Sequence, residues 1–346
     1  MSDAELKLEM EKQDRKDSNR TLYIASAVIG AIYGLTVRIM AARQVDVLRV
    51  MSIGFIFFMP FAQGCIAVYI VELKRRQKIS TWLILPWLSV LSGLAGTLIT
   101  LLEGVICIAM FLPIGLLLGS LGGLLGGLAA RFIKSRRRQS LAIACIMILP
   151  FMTGPWEKHV FYGWESRRVE NVIDIQAPPD VVWRNIERVR AIRHDELPAS
   201  WAHAIGFPDP IEATLSHEGV GGVRNASFAG NLVFIETVDV WESRQRLGFT
   251  IAAETDKIPA TTLDEHVRVG GEYFDVLRGE YRLEPLSPTV TRLHLSSQHR
   301  LSTDFNWYAH LWTDAVMSDL QKRILYVVQQ RCQQEARAHQ AVSSAL

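Results

Sequence analysis

The feature that most constrains this chain is an apolar run over residues 105–130 that contains no Asp, Glu, Lys or Arg. About 20 apolar residues are enough for a helix to cross the hydrocarbon core of a bilayer, so the run predicts a membrane-spanning helix. Similar runs recur in the first 156 residues, whereas the chain after residue 166 never continues for as long without a charge. The sequence therefore predicts a membrane half followed by a soluble half.

Five segments of the membrane half are predicted as spans, namely residues 21–41, 50–71, 81–102, 105–130 and 140–156. The fifth is the shortest and contains Pro150, Gly154 and Pro155, so a re-entrant or interfacial segment is its alternative. The charged residues before the first span do not resemble a cleavable signal peptide. The predicted organisation is a charged N-terminal tail over 1–20, a transmembrane region over 21–156, a linker over 157–166 and a soluble domain over 167–340.

The distribution of basic residues predicts the orientation of the spans, because basic loops stay in the cytoplasm. Residues 72–78 and 131–138 are strongly basic and are predicted to be cytoplasmic, with a tight external hairpin at Glu103 between them. Arg43 and Arg49 in the first external loop disagree mildly with this assignment. Five spans in an inner or plasma membrane would place the soluble domain outside the cytoplasm. If the fifth segment does not cross, the domain is cytoplasmic.

The fourth span carries a glycine at every fourth position, Gly115, Gly119, Gly123 and Gly127. Small residues at this spacing give a flat helix face that another helix can approach closely. The glycines are therefore predicted to pack against another helix. That helix belongs either to the same bundle or to a second copy of the chain, which would make a homo-oligomer through the fourth span.

Charge is divided unevenly between the two halves. Residues 1–166 have a net charge of +7, and residues 167–346 have a net charge of −5. A mildly acidic soluble half without a basic stripe argues against nucleic-acid binding. The four cysteines form no Cys-x-x-Cys or Cys/His cluster, so no metal site and no cofactor are predicted.

The soluble half alternates apolar and polar residues in several short runs, which is typical of strands. The predicted strands cover residues 169–175, 223–228, 232–241, 246–252, 273–283 and 290–301. A helix is predicted over 180–189, and a long amphipathic helix is predicted over 307–338. The last helix must bury its apolar stripe, which includes Leu311, Ala315 and Val328, against an antiparallel sheet.

Three stretches carry a resemblance to a known family, namely residues 172–183 (VIDIQAPPDVVW), 219–224 (GVGGVR) and 281–285 (YRLEP). With the long terminal helix, they make residues 167–335 resemble the START-like, or SRPBCC, superfamily. The resemblance implies a helix-grip fold, in which a curved antiparallel sheet and a long C-terminal helix enclose an apolar cavity. The whole chain is thus predicted to be a membrane α-helical bundle plus an α+β helix-grip domain.

The implied cavity would be lined by strand faces, by the last helix and by an irregular stretch that often forms a lid in this superfamily. The predicted ligand-binding residues are Trp201, Phe234, Phe249, Tyr273, Tyr281, Leu295, Trp307 and Trp312. The alternative for each is packing in the core. For Trp307, Tyr308 and Trp312 a third interpretation is contact with the membrane interface, where Trp and Tyr are enriched.

Catalytic signals are weak in this sequence. It contains no nucleophile elbow, Walker A loop, dinucleotide fingerprint or metalloprotease helix, and the superfamily has no universal catalytic motif. His294 and His299 are predicted on opposite faces of one strand, in solvated or hydrogen-bonded roles.

These observations predict a membrane-anchored START-like domain that binds or transfers a hydrophobic ligand, either a lipid, a quinone or a polyketide-like molecule. The first alternative is a cyclase- or dehydratase-type enzyme acting on a hydrophobic substrate. The second is a structural or sensory membrane partner protein. Fold-level analogy alone does not decide between these functions.

Overall fold

The computed structural model describes residues 3–42, 51–153, 163–254 and 269–344. The chain divides into two compact units, Met1–Glu103 with Cys107–Tyr162 and Gly104–Ile106 with Gly163–Leu346. The described part of the first unit consists of helices and short turns, and the second unit contains the sheet.

The membrane half forms five helices over the residues described. They are α1 (Asp3–Ala42), α2 (Met59–Lys74), α3 (Ile79–Ile99), α4 (Val105–Phe132) and α5 (Arg136–Met152), with a π-helical turn, Gly54–Phe58, before α2. Within the described ranges, four helical stretches are long and apolar enough to cross a membrane, namely Lys16–Ala41, Gly54–Lys74, Ile79–Ile99 and Val105–Phe132. They confirm the first four predicted spans as apolar helices. The fifth corresponds to α5, which has 17 residues, and its crossing stays a prediction.

The glycine row of α4 is buried at all four positions, Gly115, Gly119, Gly123 and Gly127. A Cβ built on Gly119 would lie 3.2 Å from Val90 Cγ2 of α3. Gly123 and Gly127 lie directly against Trp82 of α3, the first against its carbonyl oxygen and the second against its ring. Gly115 lies against the side chain of Phe111 in α4 itself. The row therefore faces a helix of the same chain.

A second glycine row of α4 meets α2. Cβ atoms built on Gly122 and Gly126 would overlap the carbonyl oxygens of Phe61 and Cys65. The opposite side of α4 is exposed and consists largely of leucine, at Leu117, Leu121, Leu125 and Leu128. Glycine inside and leucine outside fit a helix that packs closely on its neighbours and presents its other face to lipid. A homo-oligomer through this helix stays a prediction.

Charged side chains near the ends of the apolar helices pair with one another. Glu72 accepts from Arg131 Nη2 at 2.8 Å and from Trp82 Nε1 at 3.0 Å, and it is 7% exposed. Arg38 Nε lies 2.5 Å from Glu103 Oε1. Pairing offsets the cost of placing ionised groups in or near hydrocarbon. These residues thus have a structural explanation.

The second unit contains, over its described residues, a seven-stranded antiparallel sheet in the order β1-β7-β6-β5-β4-β3-β2. The strands are β1 (Glu165–Ile175), β2 (Pro210–Leu215), β3 (Val223–Phe228), β4 (Leu232–Glu242), β5 (Arg246–Glu254), β6 (Phe274–Ser287) and β7 (Val290–Leu301). Three helices accompany them, α6 (Pro179–Glu187), the short α7 (Trp201–Ala204) and α8 (Asn306–Ser344).

The edge strand β2 is absent from the sequence prediction, which treats this proline-bearing stretch as irregular. Pro210 is the first residue of β2, and β2 is the last strand in the sheet order. Proline is tolerated at the start of an edge strand because no ladder hydrogen bond needs its missing N–H. The structure therefore adds one strand to the predicted sheet.

Irregular pairing accompanies the curvature of the sheet. The register shifts between Val238 and Val240 in β4 and between Val276 and Arg278 in β6. Such bulges bend a strand and increase its twist. The curved antiparallel sheet and the long helix α8 together form the predicted helix-grip fold.

The apolar stripe of α8 differs from the prediction over its first turns. Leu311 is 57% exposed and Ala315 is exposed, so both predictions are wrong. The buried apolar residues are Ala309, Val316, Met317, Leu325, Val327, Val328 and Cys332. Gln321 also faces inward, although it is polar, because its amide is fully hydrogen-bonded to the sheet. An apolar-periodicity argument cannot anticipate an inward polar residue of this kind.

Candidate functional site

The side of the sheet that faces α8, which we call the inner face, is identified by the hydrogen bonds of Gln321. Its Nε2 donates to Ser297 Oγ at 2.9 Å, and its Oε1 accepts from Asn171 Nδ2 at 2.8 Å. Because side chains alternate along a strand, the register then assigns a face to every other residue. The inner face includes Arg224, Phe234, Glu236, Phe249, Tyr281 and Leu295.

Three of the predicted ligand-binding residues, Phe249, Tyr281 and Leu295, are buried together in the main core. The rings of Phe249 and Tyr281 lie 6.2 Å apart at 46°. Phe249 also lies directly against Gly279, where any Cβ would overlap its ring. The missing side chain at Gly279 therefore lets an aromatic ring rest directly on β6. Core packing accounts for these three residues in the present conformation.

Phe234 occupies a less enclosed part of the inner face. It is half-buried, and its ring packs edge-on against Phe228 at 5.2 Å. Ile251, which lies opposite Glu236 in the register, is also half-buried. Tyr273 is half-buried just before β6, and its carbonyl accepts from Ser302 N at 2.9 Å. Among the described residues, the inner face is thus less completely buried on the side of β4 and β5.

The remaining predicted residues, Trp201, Trp307 and Trp312, form a separate aromatic group at the start of α8. Trp201 is 40% exposed and Trp307 is 58% exposed. The Trp201 and Trp312 rings lie 6.4 Å apart. The structure therefore places four of the eight predicted residues on the inner face and three in a surface group, and Tyr273 lies outside both, before β6.

The residue that the sequence prediction missed is Arg224. It is 3% exposed, on the inner face of β3, and its Nη1 donates to Glu236 Oε2 of β4. Its guanidinium carbon lies 5.4 Å from the Phe249 ring centre and 5.9 Å from that of Tyr281. Within the described part of the chain its buried Nε has no hydrogen-bond partner. Arg224 therefore places one unused donor among aromatic rings.

A signal for this pair exists in the sequence. Arg224 has the same strand phase as Ala226 and Phe228, and Glu236 has the same phase as Phe234. A charge at an apolar phase predicts either a register error or a buried ion pair. The sequence alone does not identify the partner of Arg224, because only the pairing of β3 with β4 determines which two charges meet.

Burial dominates the electrostatics of this site. It raises the pKa of the Glu236 carboxyl, an effect that the neighbouring Arg224 guanidinium opposes. Burial also raises the pKa of the Tyr281 hydroxyl, so the phenol stays protonated at neutral pH. The site therefore combines a cation with a neutral phenol that interacts with it. Both favour a hydrogen-bond acceptor or an anion.

A second buried polar group lies between β7 and α8. His299 is fully buried, and its Nε2 lies 3.5 Å from Asp314 Oδ1. Asp314 in turn accepts from Arg167 Nη2 at 2.7 Å. Burial lowers the pKa of His299, which favours the neutral imidazole. Neither ring nitrogen of His299 has a hydrogen-bond partner among the described residues, so the predicted solvated or hydrogen-bonded role is wrong.

The irregular stretch before β2, which contains Glu196 and Ser200, is hydrogen-bonded to α8. Ser200, the N-cap of α7, donates to Asp319 Oδ2, and its Oγ lies 2.6 Å from His203 Nδ1. Farther along, Arg331 Nε donates to Glu196 Oε1 at 2.9 Å. This hydrogen bond lowers the pKa of Glu196 to about 2, so the pair is ionised at neutral pH. The stretch therefore covers α8 through charged contacts.

An open groove of about 600 Å³ lies by β1 and β7, lined by Val172, Ile173, Asp174, Arg292 and His294. Arg292 pairs with Asp174 at 2.7 Å, and His294 Nδ1 lies 2.8 Å from Glu170 Oε1. None of the predicted ligand-binding residues lines this groove. Its lining combines two apolar residues with three polar ones, so it does not identify a class of ligand.

No family model matches this chain, and no curated protein matches it. Solved structures match its second half. A START superfamily protein from Mycobacterium smegmatis is 10% identical, with a TM-score of 0.32, over 48% of this chain and 97% of that one. The Zhui aromatase/cyclase from a Streptomyces species is 17% identical, with a TM-score of 0.29, over 48% and 94%. A conserved protein from Geobacillus kaustophilus is 13% identical, with a TM-score of 0.31, over 48% and 95%. The C-terminal half of the chain has, by its own sheet order and terminal helix, the helix-grip fold of START-like proteins.

Proposed function

We propose that this chain is a membrane-anchored protein whose C-terminal domain, residues 167–340, binds or transfers a hydrophobic ligand with one polar acceptor group. A lipid, a quinone and a polyketide-like molecule all have this chemistry. The observation that carries the proposal is Arg224, a buried cation on the inner face with an unused Nε donor.

A buried ion pair usually stabilises a protein core less than apolar side chains would. Desolvation of two charges can exceed their mutual attraction, and apolar residues of similar size often stabilise a fold better. Arg224 and Glu236 therefore suggest a role beyond packing. A ligand acceptor bound at Arg224 Nε would satisfy the donor that the chain leaves unpaired.

The half-buried apolar residues supply the rest of the proposed site. Phe234 and Ile251 flank Glu236 on the inner face, the first two positions away along β4 and the second opposite it in β5. Their exposed area would be covered by the apolar body of the ligand, which is favourable in proportion to the area removed from water. The apolar helices of the same chain favour a ligand that partitions into a membrane.

The test is to purify the full chain in detergent, extract it with organic solvent and identify bound molecules by mass spectrometry. We expect a hydrophobic molecule near one per chain for the wild type and at least tenfold less for the double variant Arg224→Met/Glu236→Leu. Arg278→Met is the matched control, because Arg278 pairs with Asp239 at a half-exposed position and should keep the ligand.

Annular lipid is distinguished by a photoreactive diazirine fatty acid whose attachment sites are mapped by peptide sequencing. Competable labelling on β3 to β6 supports the proposal. Labelling confined to the apolar helices, with no molecule held by the folded domain, contradicts it and favours a structural or sensory partner protein.

A cyclase- or dehydratase-type enzyme is the second candidate, and the buried His299–Asp314 pair favours it. A neutral imidazole beside a carboxylate can act in proton transfer. The extraction experiment distinguishes an enzyme from a simple binder when His299→Phe is included as a third variant. An enzyme would then retain a substrate of different mass from the molecule found in the wild type, whereas a simple binder would retain the same molecule.

The proposed location of the domain is the extracytoplasmic side of an inner or plasma membrane, on the basis of the two basic loops and a crossing by α5. Reporter fusions placed after Arg138 and after Arg168 should then report opposite sides. Signals on one side would show that α5 does not cross, and the domain would be cytoplasmic.

A further inference from the structure

Large apolar side chains are exposed together at one end of the C-terminal domain. The aromatic patch, as we name it, consists of Trp164, Trp201, Trp307 and Leu311, which are 65%, 40%, 58% and 57% exposed. Trp307 and Leu311 lie one turn apart on α8. The ring of Trp201 packs near that of Trp312, which directly follows Leu311 in the helix. Exposed clusters of this kind mark interaction surfaces.

The patch lies where the chain enters the domain. Asn306, the first residue of α8, donates from Nδ2 to the carbonyl of Gly163 at 3.4 Å, directly before Trp164. Glu165 at the start of β1 pairs with Leu301 at the end of β7. The chain between α5 and Gly163 comprises residues 153–162, which span at most roughly 35 Å when extended. The first residue of the domain therefore stays within about 35 Å of the end of α5 along the chain.

The chemistry of the patch fits the interfacial zone of a bilayer. Trp and Tyr prefer this zone because their rings are apolar and their N–H or O–H groups are polar. Residues 305–312 contain Trp307, Tyr308, Leu311 and Trp312 and no Asp, Glu, Lys or Arg. A helical segment without basic residues binds a bilayer through apolar insertion and has little dependence on anionic lipid.

We infer that the aromatic patch docks on the surface of the bilayer that anchors the same chain, with its indole rings among the lipid headgroups. Docking would hold α7 and the first turns of α8 at the membrane surface. The inference is independent of ligand binding, because the patch and the inner-face residues Arg224 and Phe234 are separate.

The test uses the full chain in phosphatidylcholine nanodiscs, with Cys107 and Cys145 replaced by Ser. A single environment-sensitive nitrobenzoxadiazole probe is attached at Leu311→Cys. The matched control is Val220→Cys, which is 65% exposed in the turn before β3, at the opposite end of the sheet. Spin-labelled lipid should quench the probe at position 311 at least threefold more than the probe at position 220.

Removing indole rings should weaken docking and leave the fold intact, since neither residue belongs to the buried core of the domain. Trp201→Ser with Trp307→Ser should reduce quenching at position 311 at least twofold and leave the far-UV circular dichroism unchanged. Equal, weak quenching at positions 311 and 220 would overturn the inference. A disulfide between two Leu311→Cys chains in discs loaded with two copies, without quenching, would overturn it in favour of a second copy.

Discussion

Replacing Arg224 alone by Met is expected to destabilise the C-terminal domain by about 3–5 kcal/mol, because an uncompensated carboxylate then remains in the core. Glu236 is 7% exposed, and its only charged hydrogen-bond partner over the described residues is Arg224. The carboxylate must then take up a proton, rearrange or admit water, and each response costs free energy. Few single substitutions have effects of this size.

The double variant Arg224→Met/Glu236→Leu is expected to recover most of that loss. Both charges and their desolvation cost disappear, and the Met side chain can still pack against the Phe249 and Tyr281 rings. This recovery is what makes the double variant suitable for the ligand experiment. It separates a folded domain that lacks its cation from a domain that has unfolded.

Hydrogen exchange of the full chain in detergent measures both effects, through the protection of β3 and β4 amides. Arg278→Met is the control, and its half-exposed pair with Asp239 should contribute at most about 1 kcal/mol. If Arg224→Met destabilises the domain no more than Arg278→Met does, the Arg224–Glu236 pair is not desolvated in solution. The argument for Arg224 as a ligand contact would then lose its basis.

Much of the fold was predictable because strands and helices are local patterns. Alternating burial along β1 and the hairpin turns before β5 and β7 follow directly from the order of apolar and polar residues. The missing strand β2 shows the limit of that approach. A proline-bearing edge strand looks irregular in the sequence, and only pairing with β3 reveals it.

The candidate site was less predictable, because its residues violate the pattern used to find them. Arg224 and His299 share the strand phase of apolar residues, but their polarity argues for solvent, whereas the fold buries both. Their partners Glu236 and Asp314 come from another strand and from α8, so no sequence spacing identifies them. The exposed Trp307 shows the reverse error, since aromatic content alone cannot distinguish a pocket from a surface patch.

The glycine face of α4 gives the second large expected effect. A Cβ at Gly123 would overlap the Trp82 carbonyl oxygen and lie 2.6 Å from Pro86 Cγ, both in α3. Gly123→Leu should therefore push α4 away from α3, because helix backbones cannot yield as a flexible side chain can. Overpacking typically lowers folding stability by about 1–3 kcal/mol, and a clash with backbone atoms is expected to cost the upper end of this range or more.

We expect Gly123→Leu to lower the monodisperse fraction in fluorescence-detected size exclusion at least tenfold. Gly119→Leu should be milder, because the nearest contact of its Cβ is the Val90 side chain at 3.2 Å. Leu121→Phe adds bulk on the exposed face of the same helix, where Leu121 is 46% exposed, and should have no effect. If the glycine variants stay monodisperse but elute as a smaller species than the wild type, the glycine face joins two copies of the chain. If the glycine variants elute like Leu121→Phe and like the wild type, the close packing of α4 on α3 does not exist in the membrane.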